Sequence, residues 1–447
     1  MSMKIDILTL EVGSTITKAN GFIRTEHNSL KHVAQGFAST TVEQGNVGIG
    51  LKNAIDDLEK TSGADSDNAE IFANSSAAGG LRVTVHGLTY NMTARAAREA
   101  SLGAGAIIKM VTAGDLSEFD LEEIEEVQPN MIVLAGGVDF GAKEVVLQNA
   151  IKIASLDLHV PVVYAGNSAL KRAVANIFKK AGVELLITPN VFPDVDVLEV
   201  EPLRKKMQRL FSKNIIHAPG MHRLQSLTQR QIIPTPGAVL KGAELFAEVA
   251  GDCLIVDVGG ATTDVHSVTE GSTEFADKLI DPEPRCKRTV EGDLGVFVNA
   301  RNVLEMAEDE TWMQRVGDIK AMPATDREKE ITRWLCKKAV EAGVKRHAGV
   351  IGDLFTPSGK KQIIRGKDLT AVKWVIGTGG ALTRVEGGEK ILESICTGPA
   401  KSLLPKPDVQ IFLDRDYLFS ALGTVALEYP DLIKNTFQDW IKRYEQL

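Results

Sequence analysis

Cys253-Leu-Ile-Val-Asp257-Val-Gly259-Gly260-Ala261-Thr262-Thr263-Asp264-Val-His266-Ser-Val268 decides the fold of this chain. The apolar run ending at Asp257 reads as a buried strand, and Asp264-Val265 opens a second strand that folds back on the first. Gly259 and Gly260 put no Cβ in the turn between them, so backbone N–H groups there can approach an anion closely. Thr262 and Thr263 add hydroxyl donors, and Asp257 adds a carboxylate suited to a divalent cation. This is chemistry for phosphate and magnesium.

The same pattern occurs near the N-terminus. Residues 4–12 form a β-branched, apolar strand that runs through Glu11 into Gly13-Ser14-Thr15-Ile16-Thr17-Lys18, with a return strand through Phe22-Ile23. A third glycine-rich turn, Gly377-Thr378-Gly379-Gly380, follows the strand that begins at Trp374 and leads into a helix, whose N-terminus would face a base and ribose. Pro234-Thr235-Pro236 starts a helix over residues 237–249, because proline fits the first helical turn. A second helix, 417–426, contains Gly423. The small residues Gly237, Ala238, Ala421 and Gly423 predict a close crossing of these two helices. Between about 80 and 210 helix and strand alternate, the signature of a separate α/β subdomain with a parallel sheet. Residues 296–348 read as mostly helical.

The 447 residues exceed what one core usually supports. A net charge of −8 with no long basic tract excludes an electrostatic case for a nucleic-acid partner. No apolar stretch is long enough to span a membrane and the N-terminus lacks a signal-peptide core, so a cytoplasmic protein is expected. Cysteines 253, 286, 336 and 396 are too scattered for zinc spacing, and disulfides are not expected. The histidines, among them His217, His222 and His266, are read as ordinary structural residues.

The order of these segments resembles the actin/Hsp70/sugar-kinase ATPase superfamily. Residues 11–18 look like its first phosphate motif, 257–264 like its second and 375–382 like its adenosine motif. The resemblance implies an α/β fold of two actin-like (ribonuclease H-like) ATPase domains around a nucleotide cleft, with the inserted subdomain. The first domain would span 1–250, with about 80–210 inserted, and be completed by 412–447; the second would span 251–411. Within that superfamily the segments Asn74-Ser-Ser-Ala-Ala-Gly-Gly-Leu81, Ala100-Ser-Leu-Gly-Ala-Gly-Ala106, Leu134-Ala-Gly-Gly-Val-Asp139 and Arg288-Thr-Val-Glu-Gly-Asp-Leu-Gly295 are similar to the GlmL/MutL accessory proteins of adenosylcobalamin-dependent aminomutases, such as glutamate mutase. The MutL of mismatch repair shares only the name.

That resemblance implies a chaperone-like reactivase and slow Mg-dependent ATPase that frees damaged cobalamin from a mutase. Its cofactors would be ATP and Mg²⁺, and its partners the mutase subunits. Asp257, Glu11 and Asp264 would hold the metal, and Glu291 (or Asp293) would orient the attacking water. Gly13, Ser14, Thr15, Lys18, Gly259, Gly260, Ala261, Thr262, Gly377, Thr378, Gly379 and Gly380 would contact the nucleotide. Glu11 departs from the family pattern, which has Asp there; its extra methylene would weaken hydrolysis more than binding. Rival readings are a small-molecule kinase of the same fold, a non-catalytic nucleotide-binding scaffold, and an activator carrying an iron–sulfur cluster.

Overall fold

The computed structural model describes residues 3–41, 45–76, 81–215, 221–357 and 359–444. His217 and the Ala77–Gly80 part of the first of those four family segments lie outside the described residues.

The first unit begins with β1 (Ile7–Val12), β2 (Ile16–Arg24), β3 (Leu30–Ser39) and β4 (Glu70–Ser75). Every residue of β1 is buried, as expected of a central strand covered on both faces. The chain then leaves this sheet for five strands, β5 (Leu81–Gly87), β6 (Ala106–Ala113), β7 (Met131–Leu134), β8 (Val162–Tyr164) and β9 (Leu185–Ile187). It returns with β10 (Ile233–Pro234), which pairs parallel to β4. The first sheet therefore has the order β3-β2-β1-β4-β10, with β2 antiparallel and β4 parallel to β1.

The inserted sheet is wholly parallel, in the order β6-β5-β7-β8-β9. This is a doubly wound arrangement whose strand order reverses between β5 and β7. Its helices include Arg95–Gly103, Glu144–Ala154 and Lys171–Ala181, which match the sequence periodicity. They bury Ala96, Ala97 and Ala100 in one cluster and Val146, Ala150, Ile153, Val174 and Phe178 in another.

His86, at the end of β5, is completely buried between the hydroxyls of Thr112 (2.8 Å from Nδ1) and Thr84 (3.0 Å from Nε2). Burial pushes its pKa down to about 4. The folded imidazole thus stays neutral where the unfolded one takes up a proton, so stability falls as pH drops from about 6.5 to about 4 and then levels off. His86 alone is expected to remove about 3 kcal/mol across that window. Burial likewise holds His266 and His347 well below the usual range, which adds in the same direction. Urea melts followed by circular dichroism at pH 7.5 and pH 5 measure this; equal midpoints would contradict it.

The second unit opens with α1 (Thr235–Ala250), which feeds β11 (Cys253–Val258) and β12 (Thr263–Val268), followed by β13 (Cys286–Glu291). The long helix α2 (Asp326–His347) starts in a capping box at Thr325 and Glu328 and packs Ile331, Leu335, Ala339, Val340 and Val344 into the core. A separate hairpin, β14 (Val350–Thr356) and β15 (Gly359–Arg365), precedes β16 (Trp374–Thr378), α3 (Gly388–Ser394) and β17 (Gln410–Leu413). The chain ends in α4 (Leu418–Val425) and α5 (Pro430–Tyr444). The main sheet is ordered β13-β12-β11-β16-β17, with β12 antiparallel and β16 parallel to β11.

Counted along the chain, both main sheets have the order 3-2-1-4-5 with a hairpin between the first two strands. This is the ribonuclease H-like arrangement, occurring twice, as in actin-like ATPases. The chain divides into two compact units, Met1–Ile23 with His32–Gly237, and Arg24–Lys31 with Ala238–Leu447; the segment 412–447 falls in the second unit.

The expected close helix crossing lies within that second unit. A Cβ on Gly423 of α4 would sit 1.9 Å from the Ala238 carbonyl oxygen and 2.8 Å from the Gly242 nitrogen of α1. Gly242, which the sequence reading did not single out, faces Phe419 O in the same way at 2.6 Å. Residues 296–348, expected to be mostly helical, are helical over Ala300–Ala307, Glu310–Met313 and α2, with an irregular stretch before Asp326.

Candidate nucleotide site

The two turns are built alike. Gly259 N–H donates to Thr262 O (2.9 Å), and Gly13 N–H donates to Ile16 O (3.1 Å). A Cβ at Gly13 would fall 2.6 Å from that Ile16 oxygen, so glycine is required there.

In the second unit the carbonyls of Gly259, Gly260 and Ala261 are all engaged by residues 296–299. Gly259 O accepts from Val296 N, Gly260 O from Phe297 N and Val298 N, and Ala261 O from Asn299 Nδ2. The amides of Gly260, Ala261 and Thr262 receive no acceptor among the described residues. Three consecutive open amides beside a carboxylate form a cradle for phosphate oxygens. Asp257 supplies that carboxylate, paired in register with Asp264 on one side and Thr378 on the other. Its side chain is half-buried, while the strand before it is buried.

The third turn meets the second. Gly379 has φ +89°, and a Cβ there would fall 2.3 Å from Val258 O and 2.7 Å from Asp257 Oδ1. Both strain and collision forbid a side chain. Gly379→Ala is therefore expected to displace the Asp257 carboxylate, and any Mg-ATP affinity that depends on this carboxylate would fall at least tenfold; unchanged affinity in titration calorimetry would contradict this. Gly377 sits in register with Val256, against the side chains of Leu392 and Leu413. Gly380 opens a single helical turn, Gly380–Thr383.

Other expected residues are held by partners the sequence did not reveal. Asp264 accepts from Arg288 Nε at 2.8 Å, an ion pair between two nearly buried side chains, and also from the Thr262 hydroxyl at 3.3 Å. Glu291 Oε2 accepts a 2.7 Å bond from Arg346, which also grips Asp293 through two bonds of 2.7 and 2.8 Å. Those bonds hold the Asp293 carboxyl below the ordinary carboxylate range. In the first unit Lys18 lies opposite Glu11 across the hairpin and donates to its Oε1 at 2.7 Å. Ser14 and Thr15 are exposed at the tip, and the Thr40 hydroxyl donates to Gly13 O. The signal for the Lys18–Glu11 pair was present: a turn closed between 13 and 16 puts 11 opposite 18.

A cavity of ≈ 700 Å³ lies between α2 and α3, lined in part by Trp312, Arg333, Trp334, Lys337, Glu386 and Gly387. Trp312 and Trp334 stack with ring centroids 5.0 Å apart. These side chains were read only as parts of helical faces. None of the residues of the three glycine turns is among those lining it.

Of the cysteines, Cys253, Cys336 and Cys396 are buried and Cys286 is partly so. Among the described residues no cluster of His, Cys, Asp and Glu could hold a metal on its own. No described helix is long and apolar enough to cross a membrane.

Protein MutL of Clostridium tetanomorphum is 36% identical over 449 aligned residues, covering 95% of this chain and 96% of the relative. Among solved structures, nucleotide-free acetone carboxylase aligns over 94% of this chain and 70% of its own at 14% identity and a TM-score of 0.39. A glycerol dehydratase reactivase aligns over 87% and 94% at 10% identity and a TM-score of 0.35. Likenesses that distant carry no argument about activity. The profile of the family described as MutL protein, by contrast, matches residues 7–441, nearly the entire sequence, and the chain belongs to that family.

Proposed function

We propose that this chain is a slow Mg-dependent ATPase that acts as a reactivating factor for an adenosylcobalamin-dependent aminomutase of the glutamate mutase type. One observation carries the nucleotide part: the open amides of Gly260, Ala261 and Thr262 lie beside Asp257, with Gly379 packed against its carboxylate. That donor set fits a magnesium-bound polyphosphate. Bound Mg²⁺ would neutralise phosphate charge and orient water.

The residues divide the work. The amides of 260–262 bind phosphate oxygens, and Asp257 orients the metal's water shell. Asp264, locked by Arg288, keeps the turn in shape. Glu291 is the candidate for orienting the attacking water, its carboxylate fixed by Arg346. In the first unit the Gly13–Thr15 turn, with Glu11 before it, is a glycine turn of the same build. The mutase part rests on family membership and on the resemblance to aminomutase accessory proteins. Its test uses a mutase inactivated by tightly held cobalamin that has lost its adenosyl group. Adding this protein with Mg-ATP and fresh coenzyme should restore activity, and no recovery beyond that with ADP would contradict it.

The Glu11–Lys18 pair favours a second reading, a nucleotide-binding scaffold, because Lys18 competes with any metal for Glu11. Glu11→Asp shortens the arm and loosens that pair. Raised hydrolysis in this variant at unchanged ATP affinity is expected for the ATPase; phosphate release that stays at background in both proteins would leave the scaffold.

A further inference from the structure

Because the inserted sheet is wholly parallel, the loops that follow β7, β8 and β9 all leave it at one end. Polar side chains lock these loops together. Asp139 N–H donates to Pro193 O at 2.9 Å, and Asp139 Oδ1 accepts from Ser168 N–H at 2.8 Å and from Asn190 Nδ2 at 2.9 Å. Asn167 Oδ1 accepts from Phe140 N–H at 3.0 Å, while its Nδ2 donates to Ala142 O at 3.2 Å. Both asparagines are buried. The Phe140 loop is thereby fixed beside the turn Asp194–Val197, which Val197 N–H closes on Asp194 O at 3.2 Å.

What this scaffold presents is apolar and strained. Phe140 has φ +62°, a left-handed conformation that a bulky residue adopts only under constraint, yet it is 79% exposed. Val195 and Val197 in the neighbouring turn are 61% and 42% exposed. A ring held this way adds little to the core of its own chain; preorganised aromatic anchors of this kind carry binding energy in protein–protein contacts. The turn is also acidic. Asp194 and Asp196 are exposed, and neither has an ion-pair partner among the described residues. Lys143 and Glu144, the exposed charges of the Phe140 loop, offset each other.

A second copy of this chain is a poor occupant, because twofold pairing would set the carboxylates of Asp194 and Asp196 against their own counterparts. The complementary surface is an apolar pocket rimmed by lysine or arginine. We propose that Phe140, Val195 and Val197, flanked by Asp194 and Asp196, dock onto such a surface of the aminomutase. The identity of the partner rests on the reactivase reading above; its chemistry rests on the patch.

Titration calorimetry of the full chain against the mutase, with ADP or ATP present, tests this. The wild type should bind, with an affinity that falls as salt rises. Phe140→Asn removes the ring but suits the left-handed backbone, so it should weaken binding about tenfold or more while the urea midpoint holds. Asp194→Asn combined with Asp196→Asn should weaken binding too and flatten its salt dependence. Phe119→Ser alters an aromatic that is 80% exposed in the helix after β6, the opposite edge strand, and should bind as the wild type does. A wild type that binds no mutase would remove the reactivase reading and the docking surface with it. Binding that is unchanged in Phe140→Asn, or lost equally in Phe119→Ser, would overturn the docking surface alone.

Discussion

Asp257→Ala is expected to lower Mg-ATP hydrolysis by about 10²–10³-fold, the usual cost of removing one preorganised polar group from a charge-stabilising site. Little else in the second unit can replace it. Asp264, directly opposite in the hairpin, is held by Arg288 and cannot swing toward a metal without breaking an ion pair between two nearly buried side chains. Glu291 is gripped by Arg346. Asp257 is the carboxylate beside the open amides, and Gly379 leaves room for it. Because its side chain is only half-buried, the variant should fold, which circular dichroism checks. Hydrolysis within threefold of wild type would remove Asp257 from the chemistry.

Gly423→Ala is expected to destabilise the second unit by about 3 kcal/mol or more, because overpacking usually costs 1–3 kcal/mol and this collision is with backbone. The new methyl would lie 1.9 Å from Ala238 O, far inside any real contact. Neither helix can yield easily. Every residue of α4 is buried, and its Phe419 packs against Phe246 of α1 and Phe437 of α5, at centroid distances of 5.5 and 5.3 Å. Gly242 closes the same crossing from the other helix. All four tryptophans, 312, 334, 374 and 440, belong to this unit, so intrinsic fluorescence in a urea titration reports it selectively. A midpoint equal to wild type would mean that the crossing relaxes at no cost.

What the sequence disclosed was what is local. The hairpin turns needed glycine for close backbone approach, and the connector needed proline at its start and small residues at its crossing, so residue type alone marked Gly13, Gly259, Gly379 and Gly423. The repeat of one strand order in two units followed from the echo between the two turns. Partners set by tertiary pairing stayed hidden. Arg288 reaches Asp264 across 24 residues of chain and Arg346 reaches Glu291 across 55, with no period to betray them. The edge strands β3, β6 and β13 and the β14–β15 hairpin also went unread, because their mixed polarity breaks the alternation that marks a half-buried strand. Trp312 and Trp334 meet only because the irregular segment before α2 folds back on it.

The most direct test of the nucleotide assignment is a calorimetric titration of the wild-type chain with ATP, with and without magnesium. Saturable binding that strengthens with Mg²⁺ and is lost in Gly379→Ala is the predicted result. Absence of binding at every magnesium concentration would contradict the assignment, and the reactivase reading built on it would fall as well.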